Sequence, residues 1–234
     1  MEAHQFKIKQ RKREEFSNYF PLISKNPKIE ITEISFKLAK KFILEYEWLG
    51  NIGSNRYHYG LFIEDNLAGV VCYSNPIAKI SFVKKLEMPE NKIIYLSRGA
   101  NSFWAPKWVP SKLIGKSIKM LNKDHGIRVV LAYSDPEAGE IGTIYQASNF
   151  LYLGETDSGG AKWYIINSEK LHPRTVYRRY GSRKRSILER IDKDYATIKI
   201  KPKKKYIFII GNRKYRYEYI NKLAGEIKPY PKRE

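Results

Sequence analysis

The chain has very little cysteine and no long apolar run. Its single cysteine, Cys72, excludes an intramolecular disulfide and any cysteine-rich zinc site. No stretch approaches the ~20 consecutive apolar residues that a membrane-spanning helix needs. The N-terminus, MEAHQFKIKQRKREE, lacks the apolar core of a secretory signal. We therefore expect a cytoplasmic protein that does not bind membranes.

Acidic residues are scarce relative to basic ones, and the imbalance lies mostly near the C-terminus. The chain has 44 Lys and Arg against 24 Asp and Glu, for a net charge of +20. Residues 167–234 alone hold 21 basic and 7 acidic residues. A nearly balanced body with a basic end is typical of a catalytic domain that is brought to a polyanion. Because Tyr and Arg are interleaved there, we favour nucleic acid over a merely solvated surface.

Apolar periodicity predicts an α/β domain with a mixed central sheet and helices on both faces. We divide the chain into a basic, loosely ordered lead-in (1–27), a catalytic domain (28–166) and a basic tail (167–234). In the catalytic domain the patterns predict strands at 28–31, 58–63, 67–73, 93–97, 128–133, 151–154 and 163–166, and helices at 33–47, 110–123 and 144–150. In the tail they predict short helices at 175–180, 186–190 and 218–223, and a hairpin at 204–217.

The segment 129–155 holds the most informative pair of residues. Asp135 follows an apolar strand, and Tyr145 lies ten positions later on the next short helix. In one cleft, the Asp would accept a proton from an attacking amine or hold that amine, and the Tyr would protonate a leaving group. The alternatives are an Asp that caps its own turn and a Tyr that packs its ring against the sheet.

Three further residues lie near predicted strand ends. Arg98 follows the strand 93–97, where its guanidinium suits a phosphate or carboxylate, or a pairing with Asp135, although a surface charge is the simpler interpretation. His58 and Tyr59 are adjacent on one strand, so their side chains point to opposite faces. His58 is a candidate base or metal ligand, but a lone His is more often structural, and no pattern such as HExxH accompanies it.

The segment before the second long helix is a candidate anion site. Ser111 and Lys107 lie in the stretch WAPKWVPS at residues 104–111, beside the free backbone amides of a helix start. The glycines that usually let a backbone approach a pyrophosphate are missing there. This segment therefore indicates where a donor binds, but the chemical identity of the donor stays open.

The basic tail contains candidate contacts to the backbone of double-stranded DNA. Such contacts supply affinity but little sequence readout. The candidates are His172, Arg174, Arg178, Arg179, Arg183, Lys184, Arg185, Lys203, Lys204 and Lys205.

Several motifs occur together in a specific order: a Tyr-His-Tyr-Gly strand, a Leu-Ser-Arg strand end, Pro-Lys-x-x-x-Ser at 106–111, and GTIYQASNFLYLG at 142–154. This arrangement resembles the Mom family of phage DNA-modification proteins over roughly residues 33–166. The resemblance implies a GNAT-like acyltransferase fold and a phage or prophage origin. It also implies conversion of DNA adenine to a carbamoylmethyl (glycinamide) derivative that protects DNA from restriction. It assigns Asp135, Tyr145, Arg98, His58 and Tyr59 to catalysis and Ser111, Lys107 and Arg98 to the donor site.

The implied product restricts the donor. An amine and a thioester give an amide, whereas a carbamoylmethyl group is joined through a methylene. The donor is therefore either acetyl-coenzyme A followed by a later step, or a glycine-activated species, and the iron suggested for the family would serve an oxidative step.

The implied reaction also requires the adenine base to leave the base stack of the duplex. Trp104, Trp108 or Tyr59 would stack on the flipped base unless these residues pack the cleft wall. Two other functions stay open: an ordinary acetyl-coenzyme A-dependent N-acetyltransferase acting on a small molecule or protein, and a non-catalytic DNA-binding protein.

Overall fold

The structure is a computed structural model that describes residues 3–18, 20–21, 23–76, 84–157, 162–171 and 173–232. The strands are β1 (Ile29–Glu33), β2 (Tyr57–Ile63), β3 (Asn66–Ser74), β4 (Ile93–Asn101), β5 (Val129–Ser134), β6 (Leu151–Glu155), β7 (Lys162–Ile166), β8 (Glu169–Leu171), β9 (Ala196–Lys199) and β10 (Lys204–Ile209). The helices are α1 (His4–Glu15), α2 (Phe36–Tyr46), α3 (Val109–His125), α4 (Thr143–Ala147), α5 (Pro173–Tyr180), α6 (Arg185–Ile191) and α7 (Arg213–Lys222), with short 3-10 turns at Glu90–Lys92 and Pro136–Ala138. Along the described part of the chain, no helix is long and apolar enough to cross a membrane.

The central sheet has seven strands in the order β1-β2-β3-β4-β5-β10-β6. Its first four strands are antiparallel neighbours, whereas β4 and β5 run parallel. This mixed sheet, with helices on both faces, confirms the predicted GNAT-like fold class. The predicted β2–β3 hairpin is also confirmed, and Glu64 and Asp65 both have the positive φ that a tight turn of this kind requires.

Helices cover the two faces of the sheet. On one face, α2 contributes Ala39, Phe42 and Ile43 to an apolar cluster with Cys72 of β3. On the other face, α3 packs its apolar stripe against the sheet in the largest apolar cluster. The predicted helices 33–47 and 110–123 are thus both present. Ser35 caps α2 by accepting a hydrogen bond from the Leu38 backbone N–H at 3.3 Å.

The chain forms two compact units. One comprises residues 1–154 with 204–234, and the other comprises residues 155–203. The second unit has its own three-stranded sheet in the order β8-β7-β9 and a small core of Ile166, Leu171, Val176 and Leu188. Strand β7 therefore belongs to this inserted unit and not to the catalytic sheet, where the sequence pattern placed it. The structural boundaries also differ from the predicted division at residues 27 and 166.

The last thirty residues differ most from the predicted structure. The predicted hairpin 204–217 is wrong, because β10 pairs with β5 in the central sheet and residues Arg213–Lys222 form helix α7. The alternating tyrosines at 215, 217 and 219 imitate a strand, yet Tyr215 and Tyr219 also share one helix face and contact each other at 4.6 Å between ring centroids. Asn212 begins this helix as its N-cap, accepting a bond from the Tyr215 backbone N–H at 2.9 Å.

The N-terminal lead-in is also more ordered than predicted, because residues His4–Glu15 form a helix. This helix buries none of its residues, and hydrogen bonds from its side chains to the main chain of other elements attach it. Gln5 donates to the carbonyl of Tyr46 at 2.5 Å, Lys9 to that of Ala105 at 3.0 Å, and Arg13 to that of Phe103 at 2.9 Å. These three bonds attach α1 to the end of α2 and to the loop that precedes α3.

Candidate active site

A gap in the central sheet defines the candidate site. Strands β4 and β5 pair only as far as Leu96 and Ala132, although both strands continue. Beyond that point β4 pairs with β3 alone, and the end of β5 pairs with β10. The register between β3 and β4 shifts at Ser97, which is left without a register partner on β3. Such a bulge bends the strand, so the end of β4 is directed away from β5. The two strands thus separate and leave an opening between them.

Arg98 lies at this opening and contacts Glu47 at the C-terminal end of α2. The Arg98 Nε atom is 3.6 Å from Glu47 Oε2 and donates a 2.8 Å bond to the Asn51 carbonyl. Its Nη2 atom donates to Asn51 Oδ1 at 2.7 Å. The carboxylate that Arg98 meets is therefore that of Glu47, a residue that the sequence analysis did not single out. The guanidinium connects the loop after α2 to the shifted segment of β4.

Glu140, after the 3-10 turn, is the second acidic group at the opening. Its Oε1 atom accepts a bond from Trp48 Nε1 at 3.0 Å, and its Oε2 atom accepts one from the Asp135 backbone N–H at 3.3 Å. Glu140 thereby joins the end of α2 to the loop after β5. Its negative charge also acts on Glu47.

Glu47 is the most perturbed carboxyl group at the opening. Burial raises its pKa to about 7, against the opposing effect of the Arg98 cation and with a further increase from Glu140. Its side chain is only 10% exposed. Atom Oε2 is buried, and no hydrogen-bond donor of the described residues reaches it. The group is therefore close to the midpoint of its titration at neutral pH.

Asp135 follows β5, as predicted, and begins the 3-10 turn. Its Oδ1 atom accepts the Glu137 backbone N–H at 3.0 Å, and its carbonyl accepts those of Ala138 and Glu140, each at 3.0 Å. This is the turn-capping role that the sequence analysis weighed against catalysis. The caps fix the Asp135 side chain at the end of β5, beside Glu140.

Tyr145 reaches the opening from the other face of the sheet. Its ring packs in the α3-side cluster, 5.3 Å from the ring of Tyr206 and 5.5 Å from that of Phe150. Its hydroxyl donates to the Tyr133 carbonyl at 3.4 Å, next to the end of β5. Burial, together with the charges of Glu140 and Glu47, raises the pKa of Tyr145. The phenol therefore keeps its proton at neutral pH.

The backbone at Gly142 sets the position of Tyr145. Gly142 precedes α4 with φ +74°, a left-handed conformation that disfavours other residues. A Cβ atom there would lie 2.4 Å from the Tyr206 ring. The close approach allows Tyr206 to pack against α4, so glycine is required here by both conformation and space.

His58 and Tyr59 point to opposite faces of β2, as alternation predicts. His58 pairs with Cys72, which pairs in turn with Arg98, so these three residues form one row across the sheet. The His58 ring is 5.5 Å from that of Phe36, and burial lowers its pKa. Tyr59 is fully buried against Tyr73 in the core, so its ring cannot stack on a base in this arrangement.

The donor set around His58 does not fit an iron site. In the described ranges, no three His, Cys, Asp or Glu side chains lie together as metal ligands. His58 is 7% exposed and lies beside the Phe36 ring and the Cys72 thiol, whose pKa burial raises to about 12, and the charge of Glu33 also acts on the pKa of His58. Because a neutral thiol is a poor metal ligand, the side chains around His58 do not support the expected metal role.

Ser111 and Lys107 do not lie together at a helix cap. Helix α3 begins at Val109 with Trp108 as its N-cap, and Ser111 donates back to the Trp108 carbonyl at 3.1 Å. Ser111 also lines an open groove of about 480 Å³ with the α3 lysines 112, 116 and 119 and with Ile29 and Ile31 of β1. Lys107 is in the loop before α3, and Lys112 lies over the exposed Trp108 ring at 5.1 Å.

The candidate DNA contacts are divided between the two units. Arg178, Arg179, Arg183, Lys184 and Arg185 are exposed in the inserted unit, where Lys203 is the last residue. Arg179 pairs with Glu169, and Arg185 pairs with Glu189 at 2.7 Å. Lys204 and Lys205 instead open β10 of the central sheet. His172 and the side chain of Arg174 lie outside the described residues.

Glu47 and Glu140 are the site residues that the sequence analysis missed, although each has a local signal. Glu47 occupies the C-cap of α2, where the helix dipole disfavours an acidic residue. Glu140 lies between Gly139 and Gly142, which both have positive φ. An acidic residue at the C-terminal end of a helix and a carboxylate in a loop between two glycines are the local signals that the sequence offered at these positions.

A mixed central sheet in which the parallel strands β4 and β5 separate is the arrangement of a GNAT-like fold. The model of the Mom protein family matches residues 28–232, and the chain belongs to this family. It is similar to the methylcarbamoylase mom of Escherichia phage Mu, with 26% identity over 209 residues that cover 87% of this chain and 84% of that protein.

Two solved structures have a similar chain course. The ribosomal-protein-S5-alanine acetyltransferase of Vibrio fischeri is 11% identical, covers 83% of this chain and 98% of its own, and has a TM-score of 0.45. A GNAT-family acetyltransferase of Streptococcus pneumoniae is 13% identical, with a match that covers 79% of this chain and 100% of that chain at a TM-score of 0.45.

Proposed function

We propose that this protein is a DNA-modifying transferase that attaches a carbamoylmethyl group to the exocyclic amine of adenine and so protects DNA from restriction. The observation that supports this most is the approach of Tyr145 and the Glu47–Arg98 pair to one opening from opposite faces of the sheet. Two reactants that enter from opposite faces would meet there. Membership of the Mom family and similarity to a protein named a methylcarbamoylase support a group-transfer reaction.

The adenine amine sets the demands on the site. It is conjugated with the ring and is a poor nucleophile, and it lies inside a base pair until the base is flipped. In our proposal, Arg98 anchors the substrate or donor, Asp135 holds the amine at the end of β5, and Tyr145 protonates the leaving group. His58 and Tyr59 line the strand behind the site and keep it dry.

The donor in this proposal binds on the α3 side of the gap. At the start of α3 the Val109 N–H is bonded to the Pro106 carbonyl at 3.1 Å and Pro110 has no N–H, so the candidate groups for a phosphate in this proposal are the side chains of Lys107 and Ser111. A glycine-derived species that carries its leaving group on the methylene carbon accounts for the methylene linkage directly, whereas acetyl-coenzyme A reacts at its carbonyl and needs a further step. The missing glycines before α3 weigh against an ordinary acetyl-coenzyme A-dependent N-acetyltransferase.

The inserted unit is the DNA-gripping part in this proposal. Residues 155–203 hold 13 basic and 6 acidic residues, and exposed arginines lie on α5, on α6 and in the loop between them. Phosphate contacts of this type give strong, salt-dependent and largely sequence-independent binding. Such binding needs no base-specific side chains.

Restriction of plasmid DNA tests the function. Plasmid propagated in cells that express the protein should resist endonucleases whose sites contain adenine. Because loss of a general acid typically slows a reaction about 100-fold or more, Tyr145→Phe should leave most plasmid cleavable. Tyr217→Phe, at an exposed position on α7, is the matched control and should protect as the parent does. Complete digestion of plasmid made with the unaltered protein would contradict the proposal.

A further inference from the structure

We infer that Glu47 is the group that accepts the proton from the attacking adenine amine at this site. The inference rests on the proposed function, and it separates the proton acceptor from Asp135. Three features support it: the place of Glu47 in the fold, the surroundings of its Oε2 atom, and the hydrogen bonds made by Asp135 and Glu140 at the same opening.

Glu47 lies on the face of the sheet opposite to Tyr145. Arg98 is directly opposite Cys72 in the β3–β4 register, so both side chains point to the α2 face. Glu47 contacts Arg98 from the end of α2. Tyr145 packs in the cluster on the α3 face. A reacting carbon held in the gap would thus have the proton acceptor on one side and the proton donor on the other.

The Oε2 atom of Glu47 differs in its hydrogen bonding from the carboxylates of Asp135 and Glu140. Oε2 is buried without a hydrogen-bond donor in the part of the chain that the structure describes. Asp135 accepts a backbone N–H at 3.0 Å, and both oxygens of Glu140 accept bonds. A buried carboxylate with a vacant lone pair gains a hydrogen bond when an N–H group enters the gap.

The charges that face Glu47 come from each element around it. Arg98 of β4 is positive and Glu140 after β5 is negative, whereas Cys72 of β3 and Tyr145 of α4 hold their protons at neutral pH. From α1, the ring of His4 contacts Trp48, the next residue, at 5.3 Å. The Arg98 cation and the Glu140 anion shift the pKa of Glu47 in opposite directions. Burial has the largest effect and raises this pKa to about 7. An acceptor with this pKa is ionised often enough to work and binds a proton strongly enough to take it.

The step is a substitution at an activated carbon of the donor. The exocyclic nitrogen forms a bond to that carbon while the bond from the carbon to its leaving group breaks. The electron pair of the broken bond goes to the leaving group, which takes the proton of Tyr145. The proton lost by the nitrogen passes to Glu47. No oxidant or reductant takes part in this step.

Initial rates across a range of pH test the inference. Clarified extract of cells expressing the full-length protein supplies the donor, unmodified plasmid is added as substrate, and modified adenine is measured by mass spectrometry between about pH 5.5 and 9, a range that brackets the raised pKa. The unaltered protein should show a rate that rises with pH and levels off above an apparent pKa near 7. Glu47→Gln should lower the plateau about 100-fold or more and remove the rising limb.

Glu140→Gln is the variant that separates a proton acceptor from a structural residue. It removes the negative charge that raises the pKa of Glu47 while keeping an oxygen that accepts the Trp48 bond. The rising limb should therefore move to lower pH, which a merely structural role for Glu47 would not produce. Glu47→Asp, which keeps a carboxylate, should restore part of the lost rate.

The outcomes distinguish this inference from the function on which it rests. If the extract of the unaltered protein yields no modified adenine at any pH, the proposed function fails and this inference fails with it. If the unaltered protein modifies adenine but Glu47→Gln keeps its rate and its rising limb, Glu47 is not the proton acceptor and the proposed function stands. If the rising limb of the Glu140→Gln variant lies at the same pH as that of the unaltered protein, Glu47 is likewise not the proton acceptor.

Discussion

Replacing residues 157–202 with a two-residue Asn-Gly turn should give a folded protein that binds duplex DNA at least about 100-fold more weakly. The replacement is feasible because β6 and β10 are hydrogen-bonded neighbours in the central sheet. The two ends of the inserted unit also meet, with Thr156 N bonded to the Lys203 carbonyl at 2.7 Å. An Asn-Gly turn closes such antiparallel pairs well.

The expected weakening follows from the charge that the replacement removes. Residues 157–202 hold 12 basic and 5 acidic residues. For each phosphate that the shortened protein no longer neutralises, the slope of log affinity against log salt concentration should become shallower by about 0.9. Fluorescence anisotropy with a labelled duplex at several salt concentrations measures both the affinity and the slope.

A charge-only variant controls for loss of the fold. Arg178→Gln, Arg183→Gln and Lys184→Gln together, in the full-length chain, should weaken binding partially and make the salt slope shallower. Far-ultraviolet circular dichroism should show the shortened protein folded, because the core of the catalytic unit lies in residues 1–154 and 204–234. A folded shortened protein whose affinity stays within about twofold of the parent would show that DNA binds elsewhere.

Glu47→Gln should stabilise the protein above neutral pH by about 3 kcal/mol, as expected for a pKa shift from 4.5 to about 7. The sign follows from the direction of the shift. A carboxyl group whose pKa is raised by folding binds its proton more tightly in the folded chain than in the unfolded one. Stability is therefore unaffected below about pH 4.5, falls as pH rises through about 7, and stays lower above it.

Urea unfolding at about pH 5, 7 and 8 measures this effect. The free energy of unfolding of the parent should fall across this range relative to that of Glu47→Gln, and the two should converge at the lowest pH. Glu45→Gln, at an exposed position on the same helix, is the matched control and should keep the parent's pH dependence. Parallel curves for the parent and Glu47→Gln would contradict a raised pKa at Glu47. A gain of this kind at a site residue is common, because active sites are built at the expense of stability.

The parts of the fold that could be predicted are those fixed by local signals. The β2–β3 hairpin followed from Glu64-Asp65-Asn66, and the start of α3 near Pro110 followed from the preference of Pro for the first helical turn. The partner of β10 could not be read from its own residues, because an apolar run does not show which strand it joins. Its pairing with β5 connects positions about 70 residues apart and depends on the inserted unit between β6 and β10.

The candidate site shows the same limit. Asp135 and Tyr145 were identifiable because a short loop connects the end of β5 to α4, which keeps the two residues near each other. Glu47 was not identifiable, because its role depends on Arg98 about 50 residues later and on Glu140 about 90 residues later. The assignment of Tyr59 to catalysis remains a prediction, and its complete burial in the core supports the packing role instead.

Mass spectrometry of nucleosides from cellular DNA is the most direct test of the central claim. DNA from cells expressing this protein should contain an adenine nucleoside heavier than deoxyadenosine by one carbamoylmethyl group. Cells that express Tyr145→Phe or Glu47→Gln at equal level should contain far less of it, and those that express Tyr217→Phe should match the parent. If the DNA holds only unmodified deoxyadenosine although the full-length protein is present, the protein is not the DNA-modifying transferase proposed here.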